Sequence, residues 1–184
     1  EIIKVEKPEG DDSRRMGPPF IGTESAAFLA INRNKKSVVL DFKQNHDLEI
    51  FKELASKADI VAENFRPGTM ERLGIGYNQL RTNHPELIYI SISGFGLTGP
   101  YSKKPGYDLI AQGMSGMMSV TGYPGWPPVK TSIPLADLSA GMFAAFGTLS
   151  AYIHMLKTGV GQVVDTSLLD SAIALTPWEA AEFW

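Results

Sequence analysis

No cysteine occurs among the 184 residues, so neither a disulfide framework nor a thiolate metal site can form. A reducing compartment is the matching expectation, the cytoplasm first, with mitochondrion or peroxisome as eukaryotic alternatives. Histidine is scarce too: His46, His84 and His154 are scattered and unaccompanied, which leaves no basis for a metal site. No apolar run reaches bilayer-crossing length, so no membrane association is expected. Positive charge is not in excess either, and the net charge of -3 provides no field suited to nucleic acid. The nucleotide signatures are missing as well. No G-x-G-x-x-G follows a strand and no G-x-x-x-x-G-K-[ST] occurs; a G-x-S-x-G elbow is absent, Gly113-Met114-Ser115-Gly116 not being one. What remains is an ordinary globular composition with enough chain for one sizeable core.

Taken in order, the chain alternates strand and helix. Ile2 to Glu6 reads as a strand, and Thr23 is placed to cap a short helix from Ala26 to Ile31. Ser37 to Asp41 is the next strand. Leu48, Phe51, Leu54, Ala55 and Ala58 then line one side of a helix whose other side is charged. Strands at Asp59 to Ala62 and Leu87 to Ile92 follow, with two short helices between them, and a helix from Tyr107 to about Met118 comes after a turn-rich stretch. Such alternation with short connections predicts an α/β fold, a Rossmann-like parallel sheet flanked by helices and followed by long buried helices. Ligands of such sheets gather beyond the carboxyl ends of the strands. Basic residues, including Lys7, Lys43, Arg66 and Arg72, fall near those ends and suit a phosphorylated ligand.

One stretch stands apart. From Ile133 to Thr158 the chain carries a single carboxylate, Asp137, and no other formal charge until Lys157. Leu138, Met142, Ala145, Phe146, Leu149, Ile153 and Leu156 recur at helical spacing with mostly small residues between them. This predicts a long helix buried on nearly all sides, begun at or near Asp137 as its cap and closed by Gly159. A carboxylate at that end faces free N–H groups and the positive end of the dipole, which favours its ionised form. Both chain ends read as interior to something longer: the first residues are already strand-like, and Thr176-Pro177-Trp178-Glu179 opens a helix that the last residues, Phe183 and Trp184, leave short.

Several motifs in one order carry a family resemblance. They are Ile3-Lys4-Val5-Glu6-Lys7-Pro8, Asn32-Arg33-Asn34-Lys35-Lys36-Ser37, Glu63-Asn64-Phe65-Arg66-Pro67-Gly68, Gly106-Tyr107-Asp108, Ala136-Asp137-Leu138 and Lys157-Thr158-Gly159-Val160-Gly161-Gln162. Together they resemble the class III coenzyme A transferases of the CaiB/BaiF type, which include formyl-CoA and carnitine-CoA transferases and the 2-methylacyl-CoA racemases. The resemblance implies that residues 1–184 are part of the coenzyme A-binding large domain, without the family's first strand and helix and without its second half.

It also implies roles. Asp137 matches the catalytic aspartate that attacks an acyl-CoA thioester and becomes a mixed anhydride. Asn64, Phe65 and Arg66 match the loop over the coenzyme's nucleotide, Arg72 a phosphate-contacting arginine, Leu40 and Lys43 a strand end beside adenine, and Lys7 a basic position for the ribose phosphate. Tyr107 and Asp108 match residues beside the thioester. Racemases carry histidine where Tyr107 stands, and a phenol with an ordinary pKa of about 10 is a poor base at neutral pH. The expected activity is therefore transfer of coenzyme A from an acyl-CoA to a carboxylic acid, the alternatives being racemisation or coenzyme A binding without turnover. Coenzyme A enters as substrate, no prosthetic group is called for, and a homodimer is the expected assembly.

Overall fold

The computed structural model describes residues 1–182; Phe183 and Trp184, where the last expected helix runs out, lie outside the described residues. The chain divides into two compact units, Glu1–Leu54 and Ala55–Trp184.

In the first unit, β1 (Ile2–Glu6) pairs in parallel with β4 (Lys35–Val39), in register from Ile2 opposite Lys35 to Glu6 opposite Val39. The crossover holds a small hairpin, β2 (Phe20–Ile21) with β3 (Glu24–Ser25), and the helix α1 (Ala26–Ile31). The hairpin was not foreseen, and it moves the helix cap from the expected Thr23 to Ser25, whose hydroxyl accepts from the Phe28 N–H. Strand β4 likewise ends before Leu40 and Asp41. The Asp41 N–H instead donates to Asp47 in the first turn of α2 (Asn45–Ala55), drawing the chain out of the strand and into that helix.

Glu6, at the end of β1, is buried and collects four donors: Arg14 Nε and Nη2, the Ser37 hydroxyl, each at 2.7 Å, and the Asp11 N–H at 2.9 Å. Arg14 also stacks 4.0 Å from the Phe28 ring centre and reaches Glu24. The Arg14 hydrogen bonds outweigh burial and hold the Glu6 carboxyl at about 2, against an ordinary 4.5. Because that pKa is depressed, the stabilisation is full above 4.5 and is lost as pH falls toward 2. Glu6→Gln is therefore expected to cost about 2 kcal/mol at neutral pH, and to flatten the acid limb of a urea-denaturation series run against pH.

The second unit is built on a three-stranded parallel sheet in the order β5 (Ile60–Glu63), β6 (Ile88–Ser93), β7 (Val163–Ser167). The central β6 is the most buried of the three, as its Ile-Tyr-Ile-Ser-Ile-Ser run suits. Sequence reading missed β7, a short run that alternates β-branched and polar residues just after a loop. The expected single parallel sheet thus appears as two separate parallel ladders, one in each unit. Between β5 and β6 lie the short helices α3 (Thr69–Arg72) and α4 (Tyr77–Leu80). Between β6 and β7 lie α5 (Asp108–Met114), shorter than expected, and α6 (Leu135–Thr158); α7 (Leu168–Ala174) and α8 (Pro177–Ala181) follow β7.

Helix α6 departs most from expectation. Its buried positions are small, Ala136, Ser139, Ala140, Ala144 and Ala151, and the four alanines cluster with Ile88, Ile90 and Ile92 of β6 and with Leu168 and Ala172 of α7. A Cβ on Gly147 would lie 2.7 Å from Val164 of β7, so helix and strand meet more closely than larger residues would allow. The bulky residues, among them Leu138, Met142, Phe146, Leu149, Ile153 and Leu156, are exposed. The helix is therefore not buried on all sides. Apolar periodicity reports a greasy helix, but the distance to the sheet selects the small face.

Candidate active site

Parallel strands bring their carboxyl ends to one edge of the sheet, and the site is built from what leaves that edge. After β5 comes Asn64-Phe65-Arg66. The Asn64 amide donates to the Ile92 carbonyl at 2.5 Å, and the Phe65 N–H donates to Glu63 at 2.6 Å, tying the loop to the sheet end. Phe65 and Arg66 are exposed. Gly68, in the left-handed region at φ 83°, turns the chain into α3, where Arg72 is exposed and donates to the Thr69 hydroxyl.

Below this loop lies a cavity of about 150 Å³ lined by Glu63, Arg66, Glu71, Tyr77, Tyr89 and Leu97, among others. Burial pushes the Glu63 carboxyl above its ordinary pKa, and burial together with the Glu63 and Glu71 charges raises the Tyr89 hydroxyl. That hydroxyl is buried without a hydrogen-bond partner among the described residues. Asp137, Tyr107 and Asp108 are not in the cavity wall.

After β6, Gly94 and Gly106 press backbone on backbone, a Cβ on Gly94 falling 2.6 Å from the Gly106 Cα. This contact delivers Gly106-Tyr107-Asp108 to the sheet edge. Tyr107, 76% exposed, caps α5, and Asp108 is its first residue. The Asp108 Oδ1 accepts the Ala136 N–H at 2.8 Å and the Asp137 N–H at 3.3 Å. A side chain from α5 therefore caps α6, filling the place that Asp137 was expected to fill.

Asp137 is not the cap: it is the third residue of α6, whose cap position is Pro134. With the N–H groups taken by Asp108, no hydrogen bond or ion pair holds the Asp137 carboxylate among the described residues. Its side chain reaches the surface, while the protein behind it strips part of its water. That desolvation, with the charge of Asp108 next, pushes the carboxyl above its ordinary value, the reverse of the dipole-based expectation.

In the first unit, Lys7 is exposed and paired with Asp12 at 2.7 Å. Leu40 is buried, with its N–H on the Glu6 carbonyl at 2.9 Å, and Lys43 is exposed. The structure thus joins Asp108 to Asp137, and Asn64 to the end of β6. Sequence reading missed Gln112, fully buried in α5 and bonded to Asp108, and the Gly94–Gly106 contact. A glycine directly after a strand was the available signal for the contact.

Comparison with known proteins places these features in context. The family model described as CoA-transferase family III matches residues 1–183. Succinyl-CoA:glutarate CoA-transferase of Homo sapiens is 42% identical over 184 residues, covering 100% of this chain and 42% of that protein. Acetyl-CoA:oxalate CoA-transferase of Acetobacter aceti is 47% identical over 174 residues, 94% of this chain and 44% of that one. A CAIB/BAIF family protein from Brucella suis superposes with a TM-score of 0.96 at 41% identity, covering 100% of this chain and 50% of the other. The chain spans less than half the length of the two enzymes and half that of the solved structure.

Proposed function

Because the chain belongs to CoA-transferase family III, we propose that the intact protein moves coenzyme A from an acyl-CoA donor to a carboxylic acid acceptor, with Asp137 as nucleophile. The observation that carries this reading is the Asp137 carboxylate: exposed, unengaged, partly desolvated, and set on a helix end that another residue caps. A carboxylate so placed retains the nucleophilicity that hydrogen bonds would quench.

Asp137 attacks the thioester carbonyl, the C–S bond breaks, and coenzyme A leaves as thiolate from an aspartyl–acyl anhydride. The acceptor carboxylate attacks the aspartyl carbonyl and expels the donor acid. The thiolate then attacks the acceptor-derived carbonyl, releasing the new acyl-CoA and the Asp137 carboxylate. Water takes no part, and the anhydride requires its exclusion. Exposed Arg66 and Arg72 are the proposed partners of the nucleotide's phosphates, with Asn64 and Phe65 beside it. Lys7, Leu40 and Lys43 keep the nucleotide roles that the resemblance implies. Tyr107, a phenol rather than an imidazole, supports transfer over racemisation. The relatives named for glutarate and oxalate support small dicarboxylates as acceptors. A second copy of the protein is the proposed partner, a reading that the exposed apolar face of α6 supports.

The test is a panel of acyl-CoA donors against carboxylate acceptors with the intact protein, using hydroxylamine to trap the enzyme-bound acyl group. Hydroxylamine cleaving the anhydride, with hydroxamate left on Asp137 and exchange between acids, is the expected result; exchange without it rejects the nucleophile. Since attack needs the anion, trapping is expected to fall as pH drops through a value above the ordinary 3.8.

A further inference from the structure

We propose that Gln112 is a positioning residue, holding the Asp108 carboxylate against the Ala136 and Asp137 N–H groups and so setting how Asp137 meets the thioester. The inference rests on Asp137 being the nucleophile. Gln112 is 0% exposed, and every polar atom of its amide is engaged. Nε2 donates to Asp108 Oδ2 at 2.6 Å and to the Ile133 carbonyl at 3.4 Å; Oε1 accepts the Thr131 N–H at 2.9 Å, with the Thr131 hydroxyl at 3.1 Å.

The partners fix which end of the amide is which. A carboxylate accepts only and a backbone N–H donates only, so nitrogen must face Asp108 and oxygen Thr131. One side chain thereby joins the residue that caps α6 to the segment that enters it. Two short links separate Gln112 from the nucleophile: Gln112 to Asp108, then Asp108 to the backbone of residues 136 and 137. A glutamine is suited to this because it is neutral. It fixes one Asp108 oxygen and leaves the other to the helix end, without adding charge beside two carboxylates. The titratable groups on α5 and the helices packed against it are Asp108 itself, Asp137, Tyr152, His154 and Lys157 on α6, and Asp170 on α7. Tyr152, His154 and Lys157 belong to the far end of α6, and Asp170 is bonded to Ser167.

Two variants of the intact protein test this. Gln112→Leu keeps the bulk and removes both functions of the amide. The rate of hydroxylamine-trappable acyl transfer to Asp137 is expected to fall about 100-fold in a single turnover, from misplacement of the nucleophile, with the acyl-CoA Kd changed by no more than roughly twofold. Gln112→Glu supplies the same contact only while a proton is shared with Asp108. It is expected to approach the unaltered rate at low pH and to lose it as pH rises and the two carboxylates repel, a descending limb that the unaltered protein lacks. A Gln112→Leu protein that is folded by circular dichroism and labels at the unaltered rate overturns the inference. So does a Gln112→Glu profile superimposing on the unaltered one, which decides the matter alone where the leucine variant does not fold. Absence of label on Asp137 in the unaltered protein overturns the nucleophile itself, a separate outcome from label that ignores Gln112.

Discussion

Asp137→Ala and Asp137→Asn are each expected to lower coenzyme A transfer by about four orders of magnitude or more, with acyl-CoA binding still measurable by calorimetry. Asparagine keeps the size and the backbone of the first turn of α6, because the cap there comes from Asp108. What it removes is the attacking anion. The same substitution has a second, opposite effect. The fold holds the Asp137 carboxyl above its ordinary pKa, so the folded state disfavours the charge, and ionisation costs stability at every pH above the ordinary value of 3.8. The asparagine variant is therefore expected to melt at or above the unaltered temperature at neutral pH, with the advantage vanishing in acid. Loss of transfer joined to a lowered melting temperature at neutral pH would mean that Asp137 is structural. A cap residue behaves in that second way.

Gly161→Ala is expected to cost about 3 kcal/mol or more in denaturant unfolding, because a Cβ there would make the tightest contact of any glycine among the described residues. A Cβ there would lie 2.0 Å from the Leu87 carbonyl oxygen and 2.4 Å from that of Glu86. Backbone atoms cannot swing aside as the tip of a side chain can. The Gly161 N–H is also bonded to the Pro85 carbonyl at 2.9 Å, and Gln162 leads into β7, whose Val163 pairs with Tyr89 of β6. Making room at Gly161 therefore means separating β7 from the central strand. Gly141→Ala, a glycine with open space around it and, like Gly161, without a positive φ, serves as control. An equal loss in the two variants would show that contact with the Glu86 and Leu87 carbonyls does not govern Gly161.

Much of the scaffold was legible. The apolar runs at Ile2 and Ile88 and the charged-apolar face of α2 each called for the element that forms, because periodicity and composition report which atoms can leave water together. Gly159 closes α6 in the left-handed region, at φ 71°, as its place after Lys157 suggested. The motif order was enough to single out Asp137, Tyr107 and Asp108 before any coordinates. Less legible were features that depend on distant partners. Strand β7 was passed over because a five-residue strand carries little signal of its own, and its pairing with β6 is what makes it one. Gln112 was invisible for a related reason: a glutamine in a helix is ordinary until its hydrogen bonds to Asp108, Thr131 and Ile133 are known.

The sequence alone determined that this is an α/β chain with a long, nearly uncharged helix carrying one acidic residue near its start, since those properties reside in local pattern and charge. The tertiary structure decided which face of that helix is covered, which carboxylate caps it, and which way its pKa moves. Those outcomes depend on close approach: small residues on α6 let the sheet come near, two glycines bring Asp108 to the helix end, and Asp137 is left free at the surface.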